Sequence, residues 1–222
     1  MGSALESARG SGTVSATVLA LALAWASERQ GPQVETTGTT LPRGEALRRI
    51  ARDHDLLLRE LERRPAAAWR DEYRVRGGPL GDFCESLHDL LGHVLMWDEI
   101  GLAVLTEHGR RRRHWSLAAR WETAEAGRQL NLAGVTAARQ VSGDLLAGRF
   151  AAVRDALTDE IGRYDDESWH AAAPGEDGAD AGAGAEAGAT GVGALAQYAM
   201  TVPEHDAYWH AAIHLGLSTR EL

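Results

Sequence analysis

The sequence predicts an all-α protein built as a four-helix bundle. Four long segments repeat apolar residues at three- and four-residue intervals, the spacing by which a helix buries one face. No Val/Ile/Thr-rich alternating run bounded by turn residues competes with them. The first helix starts near Pro42, a residue suited to a first turn, and aligns Leu47, Ile50, His54, Leu57 and Leu61 before Pro65 ends it. The second follows the turn signal Gly77-Gly78-Pro79, runs from about Asp82 to Glu107, and sets Leu90, His93, Trp97, Ile100 and Val104 along one side. A third helical region covers Thr123 to Tyr164 with a break at Val141-Ser142-Gly143; its latter half repeats Leu146, Phe150, Val153, Leu157 and Ile161. The last begins near Ala194 and restarts or kinks at Thr201-Val202-Pro203-Glu204, a capping-box pattern with proline in the first turn. It then presents His205, Trp209 and Ile213 on one stripe.

With 222 residues the chain supplies one core of ordinary size, assigned to residues 41–217. Residues 1–40 read as a disordered extension. Their apolar run Val18 to Ala26 is too short for a membrane helix, and although Ala24-Trp25-Ala26 has an A-x-A-like cleavage pattern, Glu6 beside Arg9 denies the segment the positive excess of a signal peptide. A cytoplasmic domain with an upstream extension is expected. Residues 171–193 collapse into Ala, Gly and a few acids, a composition that buries too little apolar surface to offset its ordering entropy, and are read as a flexible loop within the domain.

Composition excludes several chemistries. The net charge of -9 argues against a surface built for nucleic acid or anionic membrane. A single cysteine, Cys84, rules out an internal disulfide framework and an all-thiolate zinc site. All 23 basic residues are arginines, so Schiff-base lysine chemistry, a lysine general base and the P-loop lysine are absent. Function therefore rests on His, Asp, Glu, Arg, Trp and Tyr.

In a bundle, a ligand site is made by inward side chains from facing helices. His93 and His205 lie on core-facing stripes, with His54 a third. Asp98, beside the inward stripe and against Trp97, is the carboxylate best placed to act as a base; Glu85, His88, Asp89 and Glu99 are further acid/base groups on the same helix, most of them expected at the surface. His210 and His214 form an i, i+4 pair, but their face is turned roughly 100° from that of Trp209 by the helical period, so they are assigned to a solvated or subunit-facing surface. The run Arg110 to Arg113, followed by His114-Trp115, is the dense cationic cluster and suits a sulfate, phosphate or carboxylate group. Trp115, Trp121, Trp169 and Trp209 are candidates for pocket walls, with ordinary packing as the alternative.

The segment Leu87-His88-Asp89-Leu90-Leu91-Gly92-His93-Val94-Leu95-Met96-Trp97, the pairs Arg120-Trp121 and Leu130-Asn131, and Glu204-His205-Asp206-Ala207-Tyr208-Trp209 together resemble the DinB-like superfamily, nearest to its ClbS/DfsB branch. The resemblance covers roughly residues 43–217 and implies a four-helix bundle. Metal-binding members carry one histidine on the second helix and an HxxxH pair on the last, which would map to His93, His205 and position 209. That position is Trp209, and His210 is one residue off. The resemblance thus implies a metal-independent, cofactor-free protein that handles a reactive small molecule, as in self-protection by opening a strained cyclopropane; similar bundles are associated with aziridine formation.

The expected function is an enzyme of specialised metabolism that opens or closes a ring on an electrophilic natural product or precursor. Asp98 or His93 would act as general base, with His205 and Tyr208 orienting or protonating. His54, Trp97, Trp121, Asn131 and Trp209 would line the substrate, and Arg113 would steady an anionic group. Two alternatives stand beside it: a divalent-metal-dependent thiol transferase or hydrolase using His93, His205 and a third ligand, and a non-catalytic protein that sequesters a metabolite or assembles with a second copy or a pathway protein.

Overall fold

Pro42 stands immediately before α1 (Arg43–Glu62), where its missing N–H costs no helical hydrogen bond. The computed structural model describes residues 39–75, 83–117, 123–171, 191–202 and 205–222. Most of the amino-terminal extension and of the Ala/Gly-rich loop, together with Trp121, therefore lie outside the described residues. Helix α2 (Leu87–Gly109) is capped by Ser86, whose hydroxyl accepts from the Asp89 amide at 3.0 Å. The third helical region divides as its sequence predicts, into α3 (Ala124–Ala138), capped by Thr123, and α4 (Gly143–Gly162). A short α5 (Asp166–His170) carries a capping box between Asp165 and Ser168. The last rod is two pieces, α6 (Val192–Ala199) and α7 (His210–His214), with the described residues between them non-helical.

The molecule is all-α. Among the described residues the only β pairing is an isolated bridge between Glu72 and Ser86. Helix α2 packs against α3, α4 and α6, and α1 packs against α4 and α7. A Cβ on Gly92 would run into the Ala138 side chain, so glycine there sets the close approach of α2 and α3. Among the described residues no helix is long and apolar enough to cross a membrane.

The break between α3 and α4 is latched to the start of α2. Arg139 donates to both Asp89 oxygens at 2.9 and 2.8 Å and to the Phe83 carbonyl at 3.0 Å. Arg70 donates to the carbonyls of Arg139 and Val141, and His88 Nε2 meets the same Val141 oxygen at 2.9 Å. Burial raises the Asp89 carboxyl, but its hydrogen bonds to Arg139 and neighbouring amides outweigh that and hold it below the usual carboxylate range. Asp89 and His88, read as acid/base groups from the sequence, are buried parts of this latch.

Cys84 lies in the same apolar cluster as Leu87 and Leu91, and burial pushes its thiol up to about 12. Folded protein treated with a chromogenic disulfide reagent at neutral pH is expected to release no colour until denaturant is added. Rapid one-to-one labelling of native protein would contradict this packing.

Three helices interrupt their apolar stripes at matching places. In α1, Asp53 and His54 lie between Ile50 and Leu57; in α2, Asp98 lies between Leu95 and Ile100; in α4, Arg154 lies between Phe150 and Leu157. In each helix the flanking residues belong to two different apolar clusters. Charged and imidazole groups thus form a buried layer where the two halves of the core meet.

Candidate metal centre

His93 is carried by α2 within the stretch Leu87 to Leu95, every residue of which is buried, and His210 and His214 stand one turn apart on α7. The three imidazoles converge. His93 Nε2 and His210 Nε2 are 2.9 Å apart, and one ring nitrogen from each of the three residues lies within 4.8 Å of the others. Ring centroids are separated by 4.8, 5.0 and 5.1 Å. Relative exposures are 2% for His93, 7% for His210 and 1% for His214.

Burial holds the His93 and His210 imidazoles well below their ordinary range, reinforced by repulsion among the three rings. Both are therefore neutral at pH 7, the form that offers a ring nitrogen to a metal. Two nitrogens bonded to a common zinc at about 2.0–2.1 Å lie no more than about 4 Å apart. The His93–His210 spacing meets that limit, and the ligand atoms of all three residues lie within 4.8 Å of one another. A set of three imidazoles suits zinc, nickel or a similar divalent ion.

Around the triad lies a buried charged group. The Arg154 guanidinium donates to the Ile50 carbonyl, and its Nε stands 3.9 Å from Asp98 Oδ2; neither of those two atoms has a hydrogen-bond partner. Burial pushes Asp53 up to about 7 against the pull of two backbone amides and Arg154, and pushes Asp98 up to about 6 against the pull of Arg154. Burial, aided by Arg154, drives His54 down to about 3, and its ring packs edge-on against Phe150 at 4.1 Å.

The residues expected from the sequence separate into those this interior holds and those it does not. His93, Asp98 and His54 are buried in it. Tyr208 is also buried, but with φ 64° and its hydroxyl 3.5 Å from the Gly193 carbonyl rather than on a helical stripe. Burial raises its phenol well above the usual range, so it stays protonated. His205 is exposed, a correction with a plain cause: the rod unwinds after Ala199, so the stripe His205, Trp209, Ile213 does not exist as one helical face. The same break corrects the assignment of His210 and His214 to an outer surface, because α7 restarts with its own phase and turns both inward. Trp209 packs with Val202, Ala212 and Ile213 under the Arg49 guanidinium, away from the ligand position it was aligned with. Trp97 Nε1 donates to Asn131 Oδ1 at 2.8 Å, a partly buried tie between α2 and α3. Arg113 is exposed past the far end of α2 and donates to the Leu117 carbonyl at 2.6 Å, so it takes no part in the buried interior.

Asp53 and Arg154 escaped the sequence reading. A strict heptad count finds them, since Ala46, Ile50, Asp53, Leu57 and Phe150, Arg154, Leu157, Ile161 each step by four, three and four as a bundle seam does. A surface cleft of about 390 Å³, lined by Thr106, Gly109, Arg110, Glu160, Arg163 and Tyr164, lies near the other end of α2. The helical rise puts Thr106 about 20 Å from His93 along the axis.

No family model matches this chain, and no curated protein matches it. Its fold is similar to the crystal structure of an uncharacterised protein from Escherichia coli UTI89, with a TM-score of 0.58 and 15% identity over 84% of this chain and 92% of that one. At that identity the similarity shows a shared helical fold.

Proposed function

We propose that this chain is a divalent-metal-dependent enzyme of the DinB-like kind, in which His93, His210 and His214 hold the ion and the substrate is an electrophilic small molecule attacked by water or a thiol. The observation that carries this reading is the convergence of three buried, mutually close imidazole nitrogens from two helices. One histidine on the second bundle helix and an HxxxH pair on the last rod is the ligand set that the DinB-like resemblance implies, with His210 and His214 in place of His205 and position 209. The metal-independent reading rested on the loss of that pair, and with it present that reason lapses.

A bound divalent ion would supply Lewis acidity, lowering the pKa of a coordinated water or thiol so that the nucleophile is available at neutral pH. The chain's own groups do the rest. His93 and His210 stay neutral because the core excludes water from them. Asp98, with an unbonded Oδ2 and a carboxyl pushed up to about 6, is suited to taking a proton from the nucleophile and returning it to a leaving group. Arg154 offsets the buried carboxylates and keeps part of each in the ionised form needed for a base.

Metal analysis of protein purified without chelator tests the proposal. About one equivalent of zinc or nickel per chain is expected. His93→Ala and His214→Ala, each checked for retained helical circular dichroism, should bring it close to zero. Protein that is metal-free as purified and takes up no zinc on titration would return the metal-independent ring-opening or ring-closing reading to first place.

A further inference from the structure

Helix α7 carries two of the three imidazoles yet is too short to hold itself in place. It has five residues, far below the length at which an isolated helix is stable in water. Its N-cap position is Trp209, whose side chain makes no capping hydrogen bond, and the residue before that is Tyr208 with φ 64°, a left-handed conformation costly for a bulky side chain.

The missing cap comes from another helix. Asp53, on α1 and only 3% exposed, accepts from the Ala211 amide through Oδ2 at 2.9 Å and from the Ala212 amide through Oδ1 at 2.8 Å. Each oxygen satisfies one of the two first-turn amides that an N-cap side chain would ordinarily serve. One turn earlier on α1, Arg49 donates to the Ala207 carbonyl at 3.3 Å and covers the Trp209 ring at 5.9 Å. Helix α1 contributes no ligand to the triad, but it grips the ligand-bearing segment at both of these points.

From this we infer that Asp53 is the positioning residue of the centre: it caps α7 across the bundle and thereby sets where the His210 and His214 rings stand relative to His93. The inference rests on the reading of the triad as a metal site. Because Ala211 and Ala212 lie between the two histidines in sequence, a shift of the helix start moves both rings together. Groups that orient metal ligands without touching the metal typically change affinity by about 10–100-fold.

The test is Asp53→Asn, which preserves shape but leaves one accepting oxygen and turns an NH2 toward an amide donor. Zinc affinity is measured by competition with a chromophoric chelator, and the visible spectrum of the cobalt(II)-loaded protein reports the arrangement of the imidazoles. Asp55→Asn, the same change of charge on the exposed side of α1, is the control. The expected result for Asp53→Asn is a loss of zinc affinity of about 10–100-fold with an altered cobalt spectrum, while Asp55→Asn matches wild type. Should Asp53→Asn lose its helical circular dichroism, Asp53→Glu carries the same two measurements, since it keeps the charge and displaces the carboxylate by one methylene. Wild-type affinity and an unchanged cobalt spectrum in the folded Asp53 variant would overturn the inference alone. Wild-type protein that binds no zinc would overturn the metal reading, and this inference with it.

Discussion

Adding zinc at a thousandfold excess over its Kd to metal-stripped protein is expected to raise Tm by about 8–16 °C. A ligand that binds only the native state contributes about 4 kcal/mol at that excess. For a domain of this size each kcal/mol moves Tm by about 2–4 °C. The effect is large because His93 comes from α2 while His210 and His214 come from α7, so a single ion would tie together segments more than a hundred residues apart in sequence. His93→Ala should abolish the rise while leaving the metal-free Tm near or below that of the wild type. Equal melting curves with and without zinc in the wild-type protein would sink the assignment of the triad.

Arg154→Met is expected to destabilise the fold by about 3–5 kcal/mol, the range found when one partner of a buried ion pair is removed and the other stays charged. Its guanidinium is 3.9 Å from Asp98, it acts on Asp53 as well, and both carboxylates are nearly inaccessible to water. Adding Asp98→Asn to Arg154→Met should recover part of the loss, because one uncompensated charge is then gone.

The deficit should also depend on pH, with a definite sign. Native Asp53 and Asp98 titrate at about 7 and about 6, above the unfolded aspartate value. Between those limits the native state holds more protons than the unfolded chain, so these two groups add stability as pH falls. Arg154 lowers both native values; its removal raises them further and costs most where both carboxylates are ionised. Urea denaturation should therefore show the gap between Arg154→Met and wild type widest at about pH 8 and narrower at about pH 5. A gap that does not change with pH would mean that the loss is one of packing alone.

How legible the site was depended on which helix carried each residue. His93 was readable because α2 is unbroken from Leu87 to Gly109, so counting by threes and fours along it predicts the buried face. Asp98 stands beside that face in the sequence and is itself buried, since it continues the seam Leu87, Leu91, Val94. Asp53 and Arg154 were passed over because a charged residue on an apolar stripe reads as an edge of the stripe until a partner is seen, and their partners lie on other helices. The inward placement of His210 and His214 is hidden in the sequence for a different reason. The phase counted forward from Ala194 is lost in the non-helical stretch after Ala199, and with it the alignment of His205 and Trp209 to the ligand positions.

The amino-acid sequence by itself determined the helical class, the start of the first rod, the start and internal break of the third, and the set of side chains available for chemistry, whereas the second rod starts at Leu87, five residues after the expected Asp82. Apolar periodicity, Pro42, the start at Thr123 and the absence of lysine and of paired cysteines are all local or compositional. The rotational phase of α7 was decided only in the folded molecule. That phase depends on Asp53 and Arg49, more than 150 residues earlier in the chain, binding the amides and carbonyl of a segment whose own residues cannot cap it. Local spacing predicts a face only while the helix continues; beyond a break, long-range hydrogen bonds choose which histidines face the core.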